Sequence, residues 1–302
     1  MSPELPPTLD PVAAARWSRN LQATSPWLHD EVARRMEERL QWIKLAPQGW
    51  AHWGPLRGGL AVHEALSQRY PGAPCFVVEP DTTRTAATAR ALHRPWWSPA
   101  RWNGPALRFE APSDGAVQMV WANMALHMDA DPQALLARWH QALAPDGFLM
   151  FSCLGPDTLR ALREAWHLAG WPPPAHAFTD MHDWGDMLVN TGFAEPVMDM
   201  ERITLTFDSP RRALEELRGL GRNLHVARFG ALRGRRWLTD MLDLLARAAP
   251  SEANGVALQF EIIYGHALKA RPRLTIKNET SLSLDEMRHA LRQGRAAPGA
   301  RG

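Results

Sequence analysis

Short, nearly unbroken apolar runs alternate with helix-period segments through the first half of this chain, and that rhythm narrows the fold more than any other feature. Cys75 to Val78, Val117 to Ala122 and Phe148 to Cys153 lack strict polar alternation, as strands do when both faces of a parallel sheet are covered by helices. Helical segments stand between them, at Leu60 to Tyr70, at Thr82 to Leu92, and after Asp131-Pro132, where Leu135, Leu136, Trp139 and Leu143 face inward. Gly49 to Trp53 is a weaker strand leading into the glycine turn Gly54-Pro-Leu-Arg-Gly58-Gly59, and Ala106 to Phe109 is a short strand candidate. Repeated strand-helix order predicts an α/β, doubly wound, mostly parallel sheet.

The second half changes character. Helices are expected at Pro156 to Ala169, broken by Trp171-Pro-Pro-Pro174, and at Thr179 to Thr191, stopped by Gly192. Ile203, Leu205 and Phe207 alternate with threonines as a half-buried strand. Helices at Pro210 to Leu220 and Trp237 to Ala249 precede a second alternating strand, Val256 to Tyr264, expected to close the sheet antiparallel to its neighbours. Near the start, Ser25-Pro26 opens a helix from Trp27 to Leu45, since proline suits a first helical turn. The expected organisation is a flexible leader over 1–24 and a domain over 25–270. Within the domain, 25–46 forms a cap helix, and helical insertions at 154–178 and 209–254 lie over the active site. The tail, 271–302, carries a short helix opened by the capping box Ser283-Leu-Asp-Glu286.

A formal net charge of +2 over 302 residues argues against nucleic acid as a partner. No stretch approaches the roughly 18 apolar residues that span a bilayer, and the first residues hold no apolar signal core. Cys75 and Cys153, each inside an apolar run, read as buried thiols and fit a reducing, cytoplasmic compartment. His176, His182 and Asp183 match no common zinc spacing, so no metal is expected. The oligomeric state is left open.

In open parallel sheets ligands bind beyond the C-terminal strand ends, where strand order reverses. Three turns should meet there: Trp53 to Gly59, Glu79-Pro80-Asp81, and Ala122 to His127 with Asn123 between them. Gly54 and Gly58 would let backbone amides approach a ligand closely, although such a turn is equally often only a turn. Glu79 is either an acceptor for two ribose hydroxyls or a solvated strand end. The third turn suits the carboxylate and amine of an amino-acid moiety.

Several longer strings carry a resemblance. Gly155-Pro-Asp-Thr-Leu-Arg160, Phe178-Thr-Asp-Met-His-Asp-Trp-Gly-Asp186 and Gly192-Phe-Ala-Glu-Pro-Val-Met-Asp-Met-Glu201 resemble the malonyl-[acyl-carrier protein] O-methyltransferases of biotin synthesis. Trp121-Ala-Asn-Met-Ala-Leu-His127, Leu217-Arg-Gly-Leu-Gly-Arg-Asn223 and Phe260-Glu-Ile-Ile-Tyr-Gly-His266 fit the same family, and the match spans roughly residues 25 to 268. The resemblance implies a class I methyltransferase fold with seven strands and the cofactor S-adenosyl-L-methionine. It further implies methyl transfer to the free carboxylate of a malonyl thioester, on acyl-carrier protein or coenzyme A. Trp53, Gly54, Gly58, Glu79, Pro80, Ala122, Asn123 and His127 then fall at cofactor-binding positions, and Glu110 at the adenine-side acid.

The departures from the family pattern are as specific as the matches. Where the family has Asp-x-Gly-x-Gly-x-Gly, this chain has His52-Trp-Gly54-Pro-Leu-Arg-Gly58: histidine replaces the acid, Leu56 a glycine, and Pro55 removes an amide donor. An early Tyr-x-x-His motif, expected near Gln22 to Ser25, is missing. A non-catalytic protein retaining the fold, or a methyltransferase for another small carboxylate, therefore stays open beside the malonyl reading. For the malonyl anion, Arg222 and Asn223 are the first binding candidates, with His182 and Tyr264 behind them. Arg222 also reads as a helix-dipole partner and His182 as a surface residue. Arg233-Gly-Arg235-Arg236 is either a dock for an acidic carrier or a solvated loop.

Overall fold

The apolar runs do become strands, and their order places the three turns side by side. The computed structural model describes residues 8–21, 24–93, 106–251, 255–271 and 288. Strands β1 (Trp50–Trp53), β2 (Cys75–Val78), β3 (Leu107–Arg108), β4 (Val117–Ala122), β5 (Leu143–Leu154), β6 (Phe193–Phe207) and β7 (Val256–Lys269) form one sheet in the order β3-β2-β1-β4-β5-β7-β6. β3, β2, β1, β4 and β5 run parallel, while β7 lies antiparallel between β5 and β6. Strand order reverses between β1 and β4, so their C-terminal ends flank the crevice.

The sheet buries both faces, and residue alternation sorts the core. Trp50, Val77, Met119, Trp121, Phe148 and Met150 pack on one face with Leu28, Val32, Met36 and Leu40 of the N-terminal cap. Ala51, Phe76, Val120, Ala122, Leu149, Phe151 and Cys153 pack on the other, against Leu135, Leu136, Trp139, Trp184 and Leu188. Cys75 and Cys153 are buried free thiols. The cap helix α2 (Trp27–Arg39) runs on through a 3₁₀ turn, Leu40–Trp42. Arg39 binds α2 to the sheet by pairing with Asp199 at 2.9 Å and Glu201 at 3.1 Å, and Arg35 adds a second contact to Glu201. The remaining helices are α3 (Val62–Arg69), α4 (Thr82–Ala91), α5 (Pro132–Ala142), α6 (Arg160–Leu168), α7 (Met181–Thr191), α8 (Pro210–Leu220) and α9 (Arg235–Ala248). Asp131 and Asp180 cap α5 and α7 through their side chains, and Gly192 ends α7 at a φ of 104° that favours glycine.

Three expectations need correcting. The leader is not uniformly flexible: Pro11–Ser18 forms a helix, α1, because Asp10 accepts the amides of Val12 and Ala13 and Pro11 pre-sets the first turn. Helix α6 begins at Arg160, not Pro156, since Glu261 and Gln259 of β7 capture the amides of Asp157 and Leu159 at 2.7 and 2.8 Å. Leu159 takes a φ of 55° to make the turn. Finally, β6 starts at Phe193 rather than Ile203. As the edge strand it carries polar residues at Glu195, Asp199 and Glu201, which erase the apolar alternation. The capping box at Ser283 to Glu286 lies outside the described residues.

Candidate active site

The end of β1 turns sharply. Gly54 adopts φ 62°, ψ 41°, and Pro55–Gly58 make one helical turn closed by Gly58 N–H donating to Gly54 O at 2.9 Å. A side chain at Gly58 would place its Cβ 2.6 Å from the backbone oxygen of Asn123, so only glycine fits between the first and third turns. Asn123, buried at the end of β4, stitches the region together. Its amide donates to the carbonyls of His29 (2.8 Å) and Gly58, and its oxygen accepts from Ser152 Oγ at 2.5 Å.

The second turn holds a carboxylate whose oxygens face groups of the chain itself. Glu79's side chain is fully buried, and its Oε1 accepts from Leu56 N–H and Thr88 Oγ1, both at 2.9 Å. Arg84 Nη2 lies 3.0 Å from the other oxygen, Oε2. Arg84 also donates to Ser18 O at 3.0 Å, and Arg57 donates to Trp17 O and Asn20 O, each at 3.1 Å. The Arg57 guanidinium stacks 4.1 Å from the Trp17 ring. Burial, then the Arg84 charge, pushes the Arg57 pKa down, yet a guanidinium keeps its charge at neutral pH. His52, where the family pattern has an acid, is buried with Nδ1 3.1 Å from His63 Nδ1, and burial holds its pKa well below the usual value.

As arranged, these turns do not fit a nucleoside. A ribose needs free carboxylate oxygens on Glu79, and those oxygens face Leu56, Thr88 and Arg84. Loop amides are equally committed: Leu56 N–H to Glu79, Gly54 N–H to Val78 O at 2.8 Å. Trp53 points to the opposite face, edge-on to Trp139 at 6.0 Å, and Ala122 packs in that same core. Pro80 and Glu110 are exposed.

An open chamber lies alongside. A cavity of about 280 Å³ is bounded by Leu28 and His29 of α2, Met124 and His127 after β4, Leu162 and Trp166 of α6, and Leu214 and Leu217 of α8. Its lining is chiefly apolar, with Arg163, Arg218 and Arg222 contributing the cations. Three imidazoles border it. Burial brings His29 down to about 4 and lowers His127 and His176, so all three are neutral at pH 7. His176 Nε2 sits 2.8 Å from His127 O, while Nδ1 of each of those histidines is buried without a hydrogen-bond partner among the described residues.

Of the anion-binding candidates, the structure brings Arg222 and Asn223 to this chamber. Asn223 is committed locally, donating to Pro173 O at 2.6 Å and accepting from His225 N–H at 2.9 Å. Arg222 rests on Gly221 O at 3.0 Å and on Arg218 O, with its guanidinium 5.5 Å from the Trp17 ring. Tyr264 and His182 lie elsewhere. Tyr264 is buried in β7 beneath Arg39, 3.7 Å from its ring, and burial pushes its phenol up to about 12. His182 is exposed near Asp180 on α7. Arg233 stacks between Phe229 and Trp237 at 4.1 and 4.3 Å. Sequence reasoning assigned nothing to Arg57, Arg84 or Trp17. A cation three residues after the helix-capping Asp81 carries no motif, and its partner is set by how α4 packs.

No family model matches the chain. Among proteins of assigned name, it is 36% identical to a malonyl-[acyl-carrier protein] O-methyltransferase from Gallionella capsiferriformans, over 82% of this chain and 86% of that protein. It is 33% identical to a protein of the same name from Methylovorus sp., over 84% of this chain and 86% of that one. Its fold is similar to that of YcgJ from Bacillus subtilis, with a TM-score of 0.54 at 12% identity over 80% of this chain and 99% of that one. A putative methyltransferase from Bacillus halodurans gives a TM-score of 0.53 at 12% identity, over 80% and 100%. The fold is thus the class I methyltransferase fold that the strand order and the family strings implied. Sequence identity at this level across nearly the whole domain places the chain in the malonyl-[acyl-carrier protein] O-methyltransferase family.

Proposed function

We propose that this protein transfers a methyl group from S-adenosyl-L-methionine to the free carboxylate of a malonyl thioester borne by acyl-carrier protein, a reaction of biotin synthesis. The observation that carries the reading is the chamber. It is an open, largely apolar space with guanidinium groups at the C-terminal end of β4 and β5, in a chain of this family. A malonyl carboxylate has a pKa near that of other carboxylic acids, about 4, and is ionised at neutral pH. It needs no general base, and no triad is required. What the chain must supply is orientation and exclusion of water, worth up to about 7–11 kcal/mol in well-aligned systems.

Arg222 is assigned to the acceptor carboxylate, because a guanidinium binds such a group bidentately. Leu162, Trp166 and Leu217 provide the dry walls. The reading places the protein in the cytoplasm; its two buried free thiols support this, and among the described residues no helix is long and apolar enough to cross a membrane. Incubating the protein with malonyl-carrier protein and S-adenosyl-L-methionine should yield the methyl ester, detected by mass spectrometry of the carrier. Absence of any ester, with malonyl-coenzyme A tried as a second acceptor, overturns the proposal.

A second reading has one observation in its favour. The occupied Glu79 suits a protein that keeps the fold and the chamber without donor chemistry. Malonyl-carrier protein that binds but is never methylated would select it.

A further inference from the structure

The contacts around Glu79 come from far apart in the chain and converge on one short helix. Arg84, in α4, bridges Glu79 to Ser18 O across 66 residues. Arg57, in the glycine turn, reaches Trp17 O and Asn20 O across 40 and 37 residues. Both guanidinium groups therefore reach carbonyls at or just beyond the C-terminus of α1, where a helix is electronegative and attracts cations. Burying these cations and the carboxylate here is tolerable only because each is hydrogen-bonded or ion-paired.

The other side of α1 is tied down as well. Leu9, Ala14 and Trp17 share a small core with Leu224. Asp10 pairs with Arg228 at 2.7 Å, and backbone bonds join Asp10 N–H to Leu224 O and Val226 N–H to Thr8 O. Trp17 lies between Arg57 of the first turn and Arg222 of the chamber wall.

We propose that α1, Arg57 and Arg84 form an internal plug that occupies the donor-nucleoside site, and that a nucleoside binds only when this plug lifts. The proposal rests on the donor assigned above. It explains how the Glu79 side chain stays buried without a ligand, against Leu56, Thr88 and Arg84. It also accounts for Leu56 where the family pattern has a glycine, since the chain fills the space itself. A protein whose competent state is a minor fraction shows an affinity reduced by that fraction, so weakening the plug should tighten binding even though it removes contacts. Ordinary damage to a binding site acts in the opposite direction.

The test is isothermal titration of the full chain with S-adenosylhomocysteine, an unreactive probe of the donor site, alongside thermal unfolding. Arg57→Ala removes one tether and Trp17→Ala loosens α1; Val12→Ala, on the exposed side of α1, is the control. Arg57→Ala and Trp17→Ala should each bind about tenfold tighter than the unaltered protein, the change expected if the closed state dominates by about ten to one. The control should bind as the unaltered protein does. Equal affinity in all four proteins, or no binding in any of them, overturns the plug. Variants that bind more tightly yet never methylate malonyl-carrier protein would sink the proposed reaction and leave the plug standing. Methylation by a protein whose affinity ignores Arg57 and Trp17 would do the reverse.

Discussion

Two neighbouring regions at the same sheet edge have taken opposite courses. The chamber beneath α6 and α8 is open, and its walls include residues of the string Leu217 to Asn223. The turns after β1 and β2, only a strand away, are filled by the chain's own arginines and sealed by α1. An open apolar space between packed helices is maintained by backbone placement and needs little from any one side chain. A closed polar site has to satisfy every charge it buries, so each member depends on its partners. The first region should therefore tolerate substitution with loss of function alone, and the second should fail by losing stability.

Removing Arg84 gives the largest effect. Arg84→Ala leaves Glu79 buried and uncompensated, and should cost about 3–5 kcal/mol of unfolding free energy in urea. Glu79→Leu combined with Arg84→Met should recover most of that loss. If the double variant is no more stable than Arg84→Ala, the pair is not the organising contact of the closed region. In the chamber the corresponding change is Arg222→Ala. It should lower kcat/KM for malonyl-carrier protein about 10- to 100-fold, as expected for losing charge-assisted hydrogen bonds worth about 1.5–3 kcal/mol, and leave the melting temperature nearly unchanged.

Acid should act on both regions through buried imidazoles. His29, His52 and His127 are neutral in the folded protein, with pKa values lowered by burial, His29 to about 4. Unfolded, each titrates near 6.5, so between the two values the unfolded chain binds more protons. Stability is then full above about pH 6.5 and falls as pH drops towards 4, by about 1.4 kcal/mol per unit for each such histidine. Urea unfolding at pH 7.5 and 5.5 measures the slope, and His29→Leu should reduce it. A flat profile would remove the histidines from the account. The smallest effects belong to Tyr264→Phe and His182→Ala. The Tyr264 hydroxyl is buried without a hydrogen-bond partner among the described residues, and His182 is exposed. Both should stay within about 0.5 kcal/mol of the unaltered stability and keep full methyl transfer. A large activity loss in either would extend the site beyond the chamber.

Residue order alone determined the sheet and the family. Cys75 to Val78 and Val117 to Ala122 declare buried parallel strands because a strand covered on both faces has no polar positions to alternate. The strings from Trp121 to His266 declare the family because their residues serve local turns and chamber walls, features that travel with sequence. Leu56 and Pro55 likewise announced an altered donor loop. Only the tertiary structure decided what fills it. Glu79's partners are set by how α4 and α1 pack, and Arg84, Arg57 and Trp17 carry no periodicity or spacing that points at a carboxylate. Edge strand β6 and the delayed start of α6 were hidden for a related reason: both are held by hydrogen bonds to β7, a strand that lies far along the chain and beside them only in space.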